Sequence, residues 1–170
     1  MQLFHVHTSA MHCRDRPLLS EGGIVIAGAS FNPYYTAIRA SATRPALGIT
    51  PTVIARSYRV MLREVVFEQV RSVSFPKSPS RTTCLWVSRS IEDARYWLER
   101  IPHSGEKRIY ELKLEDGVIH EAHEGHLSEE SENIQELEGR AFQYWSGARA
   151  ATGGRELLCG GKLTVLKRHV

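Results

Sequence analysis

Two prolines, Pro76 and Pro79, constrain this chain more than any other residues. They follow a long amphipathic stretch and precede the apolar run Cys84-Leu85-Trp86-Val87. Each removes a backbone donor and disfavours helix, so the stretch from Phe75 to Ser90 must leave a helix, cross an extended loop and enter a short buried strand. The strand ends on Ser88-Arg89-Ser90, polar residues at a strand-to-helix junction of the kind that faces a ligand. Chemistry elsewhere in the chain matters to the extent that it reaches this strand.

The helix before the loop starts at Thr50-Pro51, a hydroxyl cap followed by proline in the first turn. Ile54, Tyr58, Met61, Leu62, Val65 and Val70 recur every three or four residues and predict its buried face, with an end near Ser72. After the strand, Ser90 and Asp93 form a capping pair, and Ile91, Ala94, Trp97, Leu98 and Ile101 predict the packed side of a second helix. Ile134, Leu137, Ala141, Tyr144 and Trp145 predict another, stopped at Ser146-Gly147. Alternation predicts strands at Leu3–Thr8 and Arg108–Leu114, with a shorter one at Ile24–Ile26. Glu115-Asp116-Gly117 reads as a turn into Val118-Ile119-His120, and Gly160-Gly161 as the break between two closing strands. A weakly helical or irregular segment opens at Asn32-Pro33, loops are expected at 9–20, 43–51 and 103–106, and the acidic stretch at about 121–131 reads as a mobile loop.

A chain of 170 residues with 42% hydrophobic and 24% charged residues fits one domain, 1–170, with a proper core. Three cysteines without CxxC spacing suit reduced thiols. No apolar run approaches the roughly 20 residues that span a bilayer, and no signal-peptide pattern opens the chain. A cytoplasmic protein without membrane contact is expected, or an effector exported without such a signal. The net charge of +3 is uneven: residues 56–100 hold nine basic against five acidic residues, and residues 101–140 hold four against eleven. The basic half is a solvated face or a site for an anionic ligand, a dinucleotide pyrophosphate or a nucleic acid.

Among reactive groups, His120, His123 and His126 have metal-like spacing, but no HExxH accompanies them and Gly125 interrupts the run, so no metal site is expected. Cys84 and Cys159 sit in apolar strands, where a thiol is inert. The stronger constellation joins three strands: His5 and His7 on the first, Ser88 at the end of the central one and Glu156 at the start of a late one.

Those residues resemble the three strand motifs of the ADP-ribosyltransferase superfamily. Phe4-His5-Val6-His7-Thr8 is similar to the first motif in its histidine form. Leu85–Ser90, followed by a helix with Ala94 and Trp97, is similar to the second, and Glu156-Leu157-Leu158 before a glycine pair to the third. Phe75-Pro76, Pro79-Ser80-Arg81 and the Tyr144-Trp145 region are similar to a bacterial branch with a Phe-Pro-x-x-Pro-Ser-Arg segment. The resemblance implies an α+β fold with a split, mainly antiparallel sheet, packed helices and a cleft for NAD as substrate. Glu156 would be catalytic, His5 or His7 would hold a ribose, Ser88 and Ser90 would line the pocket, and Arg71 or Arg81 would pair with the pyrophosphate. The chain departs from the pattern in three places: Thr8 stands three positions after His5, Gly154 lies where arginine-modifying members carry Glu or Gln, and Ser88 replaces a tyrosine, with Trp86 and Tyr96 as aromatic substitutes.

The implied reaction is ADP-ribosyl transfer to a macromolecular acceptor, protein or nucleic acid, or NAD glycohydrolysis. The rival is a non-catalytic module that keeps the fold and binds a protein or nucleic acid through the basic helix and the proline arm.

Overall fold

The computed structural model describes residues 1–9, 13, 18–43, 50–101, 105–127 and 133–169. The expected loops at 9–20, 43–51 and 103–106 and the end of the acidic segment fall wholly or partly outside these residues. Among the described residues the fold is α+β, with four helices and five strands in the order β1 (Gln2–Thr8), β2 (Ile24–Ala27), α1 (Pro33–Thr43), α2 (Pro51–Ser74), β3 (Leu85–Val87), α3 (Ile91–Arg100), β4 (Lys107–His123), α4 (Ile134–Trp145) and β5 (Arg155–Arg168). No helix among them is long and apolar enough to cross a membrane.

Every strand pairing is antiparallel. β4 lies between β1 and β5, while β5 uses its other edge twice, pairing β2 along Gly161–Thr164 and β3 along Leu157–Cys159. The end of β3 then meets β1: Phe4 and Ser88 exchange both backbone hydrogen bonds, at 2.9 and 2.7 Å. β1, β4, β5 and β3 therefore close a ring of hydrogen-bonded neighbours. Leu3, Val87, Tyr110, Leu112, Leu157, Cys159, Leu163 and Val165 form the core of this ring. Leu158 points to the second core, where Val66 and Phe67 of α2 meet Ala141, Tyr144 and Trp145 of α4. Burial on both faces explains why Leu157-Leu158-Cys159 is continuously apolar rather than alternating.

Three expectations need correction. β4 does not turn at Glu115-Asp116-Gly117, and β5 does not break at Gly160-Gly161. The two strands pair across these residues, opposing Gly117 to Gly161 and Val118 to Gly160. Gly117 and Gly161 have φ of 148° and 130°, and a methyl group on either would strike the facing strand's carbonyl oxygen. The glycines permit a close approach inside a long strand pair, which sequence reads as turns. Secondly, Glu121–His123 continue β4 and residues 124–126 form a 3-10 turn, so the acidic segment is not a loop there. Its register is fixed by pairing with β5, and Ala122 is buried in the second core.

The third correction concerns α2. Its buried residues are Arg63, Glu64, Val66 and Phe67, whereas Tyr58, Leu62 and Val65 of the expected apolar face are about half exposed. The cap is as expected, with Thr50 Oγ1 accepting from Val53. The rotation follows from the ionic contacts made by Arg63 and Glu64 underneath, described below.

Two glycine substitutions test the strand crossing against a helix control. Gly117→Ala or Gly161→Ala should cost on the order of 3 kcal/mol in denaturant unfolding. Gly139→Ala, in α4 with open space around it, should add about 0.5–1 kcal/mol.

Candidate functional site

A cavity of about 630 Å³ opens where β1, β2, β3 and the start of α1 meet, a size suited to a small-molecule ligand. Ile24, Ile26, Leu85, Trp97, Ile101 and Leu127 supply an apolar wall. Its polar end is built by Tyr34, Arg63, Arg81, Glu156, Ser88 and His5.

Arg81 is the centre of that end. The loop that Pro76 and Pro79 force on the chain folds inward: Cys84 N–H donates to Ser80 O at 2.8 Å, and Asn32 Nδ2 donates to Arg81 O at 2.7 Å and to Cys84 O at 3.2 Å. Asn32 also caps α1, accepting from Tyr35 N–H, so one buried amide joins the helix start to the loop. The Arg81 side chain is 3% exposed and lies between two carboxylates. Its Nε donates to Glu64 Oε2 at 3.0 Å and its Nη1 to Glu156 Oε2 at 2.7 Å. Tyr144 Oη accepts from Arg81 and donates to Glu156 Oε2 at 2.6 Å. The guanidinium lies over the rings of Tyr144 and Trp86, with its carbon 5.0 and 5.6 Å from their centroids.

Glu64 also pairs with Arg63 at 2.9 Å, and Arg63 donates to Tyr34 Oη at 3.0 Å and to Leu127 O at 2.7 Å. Burial alone would raise the Glu64 pKa, but Arg81 and Arg63 outweigh it and hold the carboxyl below its ordinary value. Burial works against the Arg81 charge in the same way, and Glu64, Tyr144 and Glu156 overcome it. Burial pushes the Tyr34 and Tyr144 phenols up, so both stay protonated. The result is a closed set of two cations and two anions.

His5 sits across the cavity on β1. Its Nδ1 lies 2.8 Å from Trp86 O, a contact a carbonyl can make only with a protonated nitrogen, which leaves Nε2 as a bare acceptor in the neutral ring. Removal from water, assisted by neighbouring His7, lowers its pKa from 6.5 to about 4 against the opposing pull of the Trp86 carbonyl. Glu156 carries both of its hydrogen bonds on Oε2. Among the described residues no donor reaches its Oε1. Two acceptors on different strands are thus left for a ligand.

Of the residues singled out in sequence, His5, His7, Arg81, Ser88 and Glu156 line the cavity and Arg71 and Ser90 do not. Arg71 clamps the proline loop: its guanidinium holds Glu68, at 2.7 Å from Nη2, and donates to Ser78 O at 3.0 Å. Ser90 caps α3, accepting from Asp93 N–H at 3.1 Å. Arg81 is in the cavity but not on an outward arm, because its donors face carboxylates and a phenol. Of the two aromatic substitutes, Trp86 lines the cavity, whereas Tyr96 packs against Gly154. Among the described residues no cluster of three or more His, Cys, Asp or Glu could hold a metal. His120 packs on Trp145, and His126 lies 2.9 Å from Ala148 O. Burial raises the Cys84 and Cys159 thiols, the latter to about 11, so neither is a thiolate.

Sequence reasoning missed Tyr34, Arg63, Glu64 and Tyr144. Arg63-Glu64, adjacent opposite charges in mid-helix, read as solvated, although charges flanked by Leu62 and Val65-Val66-Phe67 were a signal of burial. Tyr144 read as a core aromatic, which it is, with its hydroxyl turned to the site.

The His5 shift gives a signed stability effect. Above pH 6.5 the ring is neutral folded or unfolded and contributes nothing; between 6.5 and about 4 the unfolded chain binds the proton first and stability falls. Replacing His5 by glutamine should remove a loss of about 2–3 kcal/mol over this window in urea unfolding at graded pH.

No curated protein matches the chain. A family model described as "Protein of unknown function (DUF2441)" matches residues 32–169. The matched region takes in Tyr34, Arg63, Glu64, Arg81, Ser88, Tyr144 and Glu156 and leaves out His5. Because it spans more than half of the 170 residues, the chain belongs to the DUF2441 family.

Proposed function

We propose that the cavity takes the nicotinamide-ribose half of NAD and that the protein releases nicotinamide, passing ADP-ribose to a macromolecular acceptor or to water. The observation that carries this reading is the convergence of His5, Ser88 and Glu156, from three strands, on one cavity with a polar end and an aromatic wall.

The chemistry requires such residues. As the bond from C1′ to the nicotinamide nitrogen breaks, its electron pair goes to the nitrogen and neutralises the pyridinium, while positive charge builds on the ribose. A carboxylate fixed beside that ribose stabilises the charge. The acceptor's oxygen or nitrogen then bonds to C1′ and its proton leaves to solvent. Glu156 fits the stabilising role because Arg81 and Tyr144 hold one of its oxygens, leaving the other to grip a hydroxyl. His5 Nε2 accepts a second hydroxyl, and its low pKa keeps it an acceptor throughout the neutral range. Tyr34 and Trp86, edge to face with centroids 5.6 Å apart, offer flat surfaces to the leaving ring.

Nicotinamide release from NAD by the wild-type protein and by Glu156→Gln tests the reading. Glutamine keeps acceptors for Arg81 and Tyr144 but loses the charge, so turnover should fall about a hundredfold or more. NAD should still raise the melting temperature of the variant. Equal turnover by the two proteins would falsify the proposal.

A further inference from the structure

We propose that Glu64, which does not line the cavity, is a positioning residue for the reaction: by holding one edge of Arg81 it limits what that guanidinium takes from Glu156, and so keeps the Glu156 charge available to the ribose. This rests on the reading of Glu156 as the group that stabilises the ribosyl cation.

Arg81 is divided unequally between its two carboxylates. Glu64 takes the edge formed by Nε and Nη2, at 3.0 Å to its Oε2 and 3.4 Å to its Oε1, whereas Glu156 receives Nη1 alone, at 2.7 Å. Arg81 and Glu156 line the cavity; Glu64, 2% exposed, sits behind them. It is fixed from its far side, because its Oε1 also accepts from Arg63 Nε at 3.2 Å and Nη2 at 2.9 Å. Arg63 is held in turn by Tyr34 Oη and Leu127 O, which ties Glu64 to α1 and to the turn after β4. A guanidinium meets a carboxylate best through two parallel N–H bonds, and here that fork is engaged on the Glu64 side. With a neutral side chain in place of Glu64, the Arg81 charge would face Glu156 alone, draw closer to it and offset the negative charge that the ribose needs. In NAD the positive charge lies on the pyridinium and moves to the ribose only as the bond breaks. The effect of Glu64 therefore falls on the transition state, and it is read in kcat rather than in KM.

The test measures nicotinamide release from NAD by the full chain carrying Glu64→Gln or Glu64→Asp, each with its melting curve. Glutamine keeps the shape and removes the charge; aspartate keeps the charge and draws it back by one methylene. Turnover should follow charge: kcat should fall about thirtyfold or more in Glu64→Gln and about three- to tenfold in Glu64→Asp, with KM for NAD within about threefold of wild type in both. A merely structural role gives the reverse order, since aspartate disturbs the packing more than the near-isosteric glutamine does. A loss in the Asp variant that equals or exceeds that in the Gln variant, an unchanged kcat, or a loss confined to KM overturns the inference and leaves the reading of Glu156 standing. If Glu64→Gln does not melt cooperatively, Glu64→Asp decides alone: a kcat lower by about threefold or more at unchanged KM supports the inference, and a wild-type kcat overturns it. Turnover that survives Glu156→Gln, or no nicotinamide release by the wild-type protein, overturns both the inference and the reading beneath it.

Discussion

The buried ion pairs that run from Arg63 through Glu64 and Arg81 to Glu156 fix the polar ends of elements that the apolar core brings together. Arg63 and Glu64 lie on α2, Arg81 in the loop after it and Glu156 at the start of β5, with Tyr144 of α4 closing the set. Burying two cations and two anions is unfavourable until every one is paired, and an apolar replacement of similar shape would often be as stable. The cost is tolerable here because Arg81 meets carboxylates on two sides and rings above its plane. What the network contributes is geometry: Glu156 can hold one rotamer only, since its Oε2 is shared by a guanidinium and a phenol.

The sheet supplies the second half of that geometry. The ring of β1, β4, β5 and β3 depends on the short exchange between Phe4 and Ser88, without which β1 would be tied to β4 alone. That exchange puts His5 one residue from Ser88's partner and lets its Nδ1 reach the Trp86 carbonyl. One backbone contact therefore sets the tautomer of His5 as well as its position. Glu156 and His5 come to face one cavity from strands that are not neighbours in the sheet, each with one atom engaged by protein and one left open.

Local signals in the sequence were faithful wherever structure is local. Thr50-Pro51, Ser90 with Asp93, and Ser146-Gly147 mark helix ends because a cap is settled within four residues. Strand alternation at Leu3–Thr8 was legible for the same reason, whereas the grouping of His5 with Ser88 and Glu156, far apart in the chain, came from the resemblance of their strands to known motifs. Legibility failed where a residue's meaning depends on a distant partner. Gly117 reads as a turn until Gly161, far along the chain, is set against it, and Glu64 reads as solvated until Arg81 arrives from the loop. The apolar face of α2 was misplaced on the same ground, since hydrophobic spacing cannot register that an Arg-Glu pair will be buried in preference to Tyr58 and Leu62.

Pairing within the cavity also shapes what its open atoms can do. With Arg63 and Arg81 neutralised internally, the polar end carries little net field, and the apolar wall from Ile24 to Leu127 keeps the local dielectric low. In such surroundings the lone pairs of His5 Nε2 and Glu156 Oε1 interact with a ligand more strongly than they would in water, and among the described residues no donor competes for the carboxylate's second oxygen. A developing positive charge beside Glu156 would consequently meet a fixed, unscreened partner. The same pairing that occupies both arginines thus leaves Glu156 Oε1 and His5 Nε2 as the atoms through which the polar end meets a ligand.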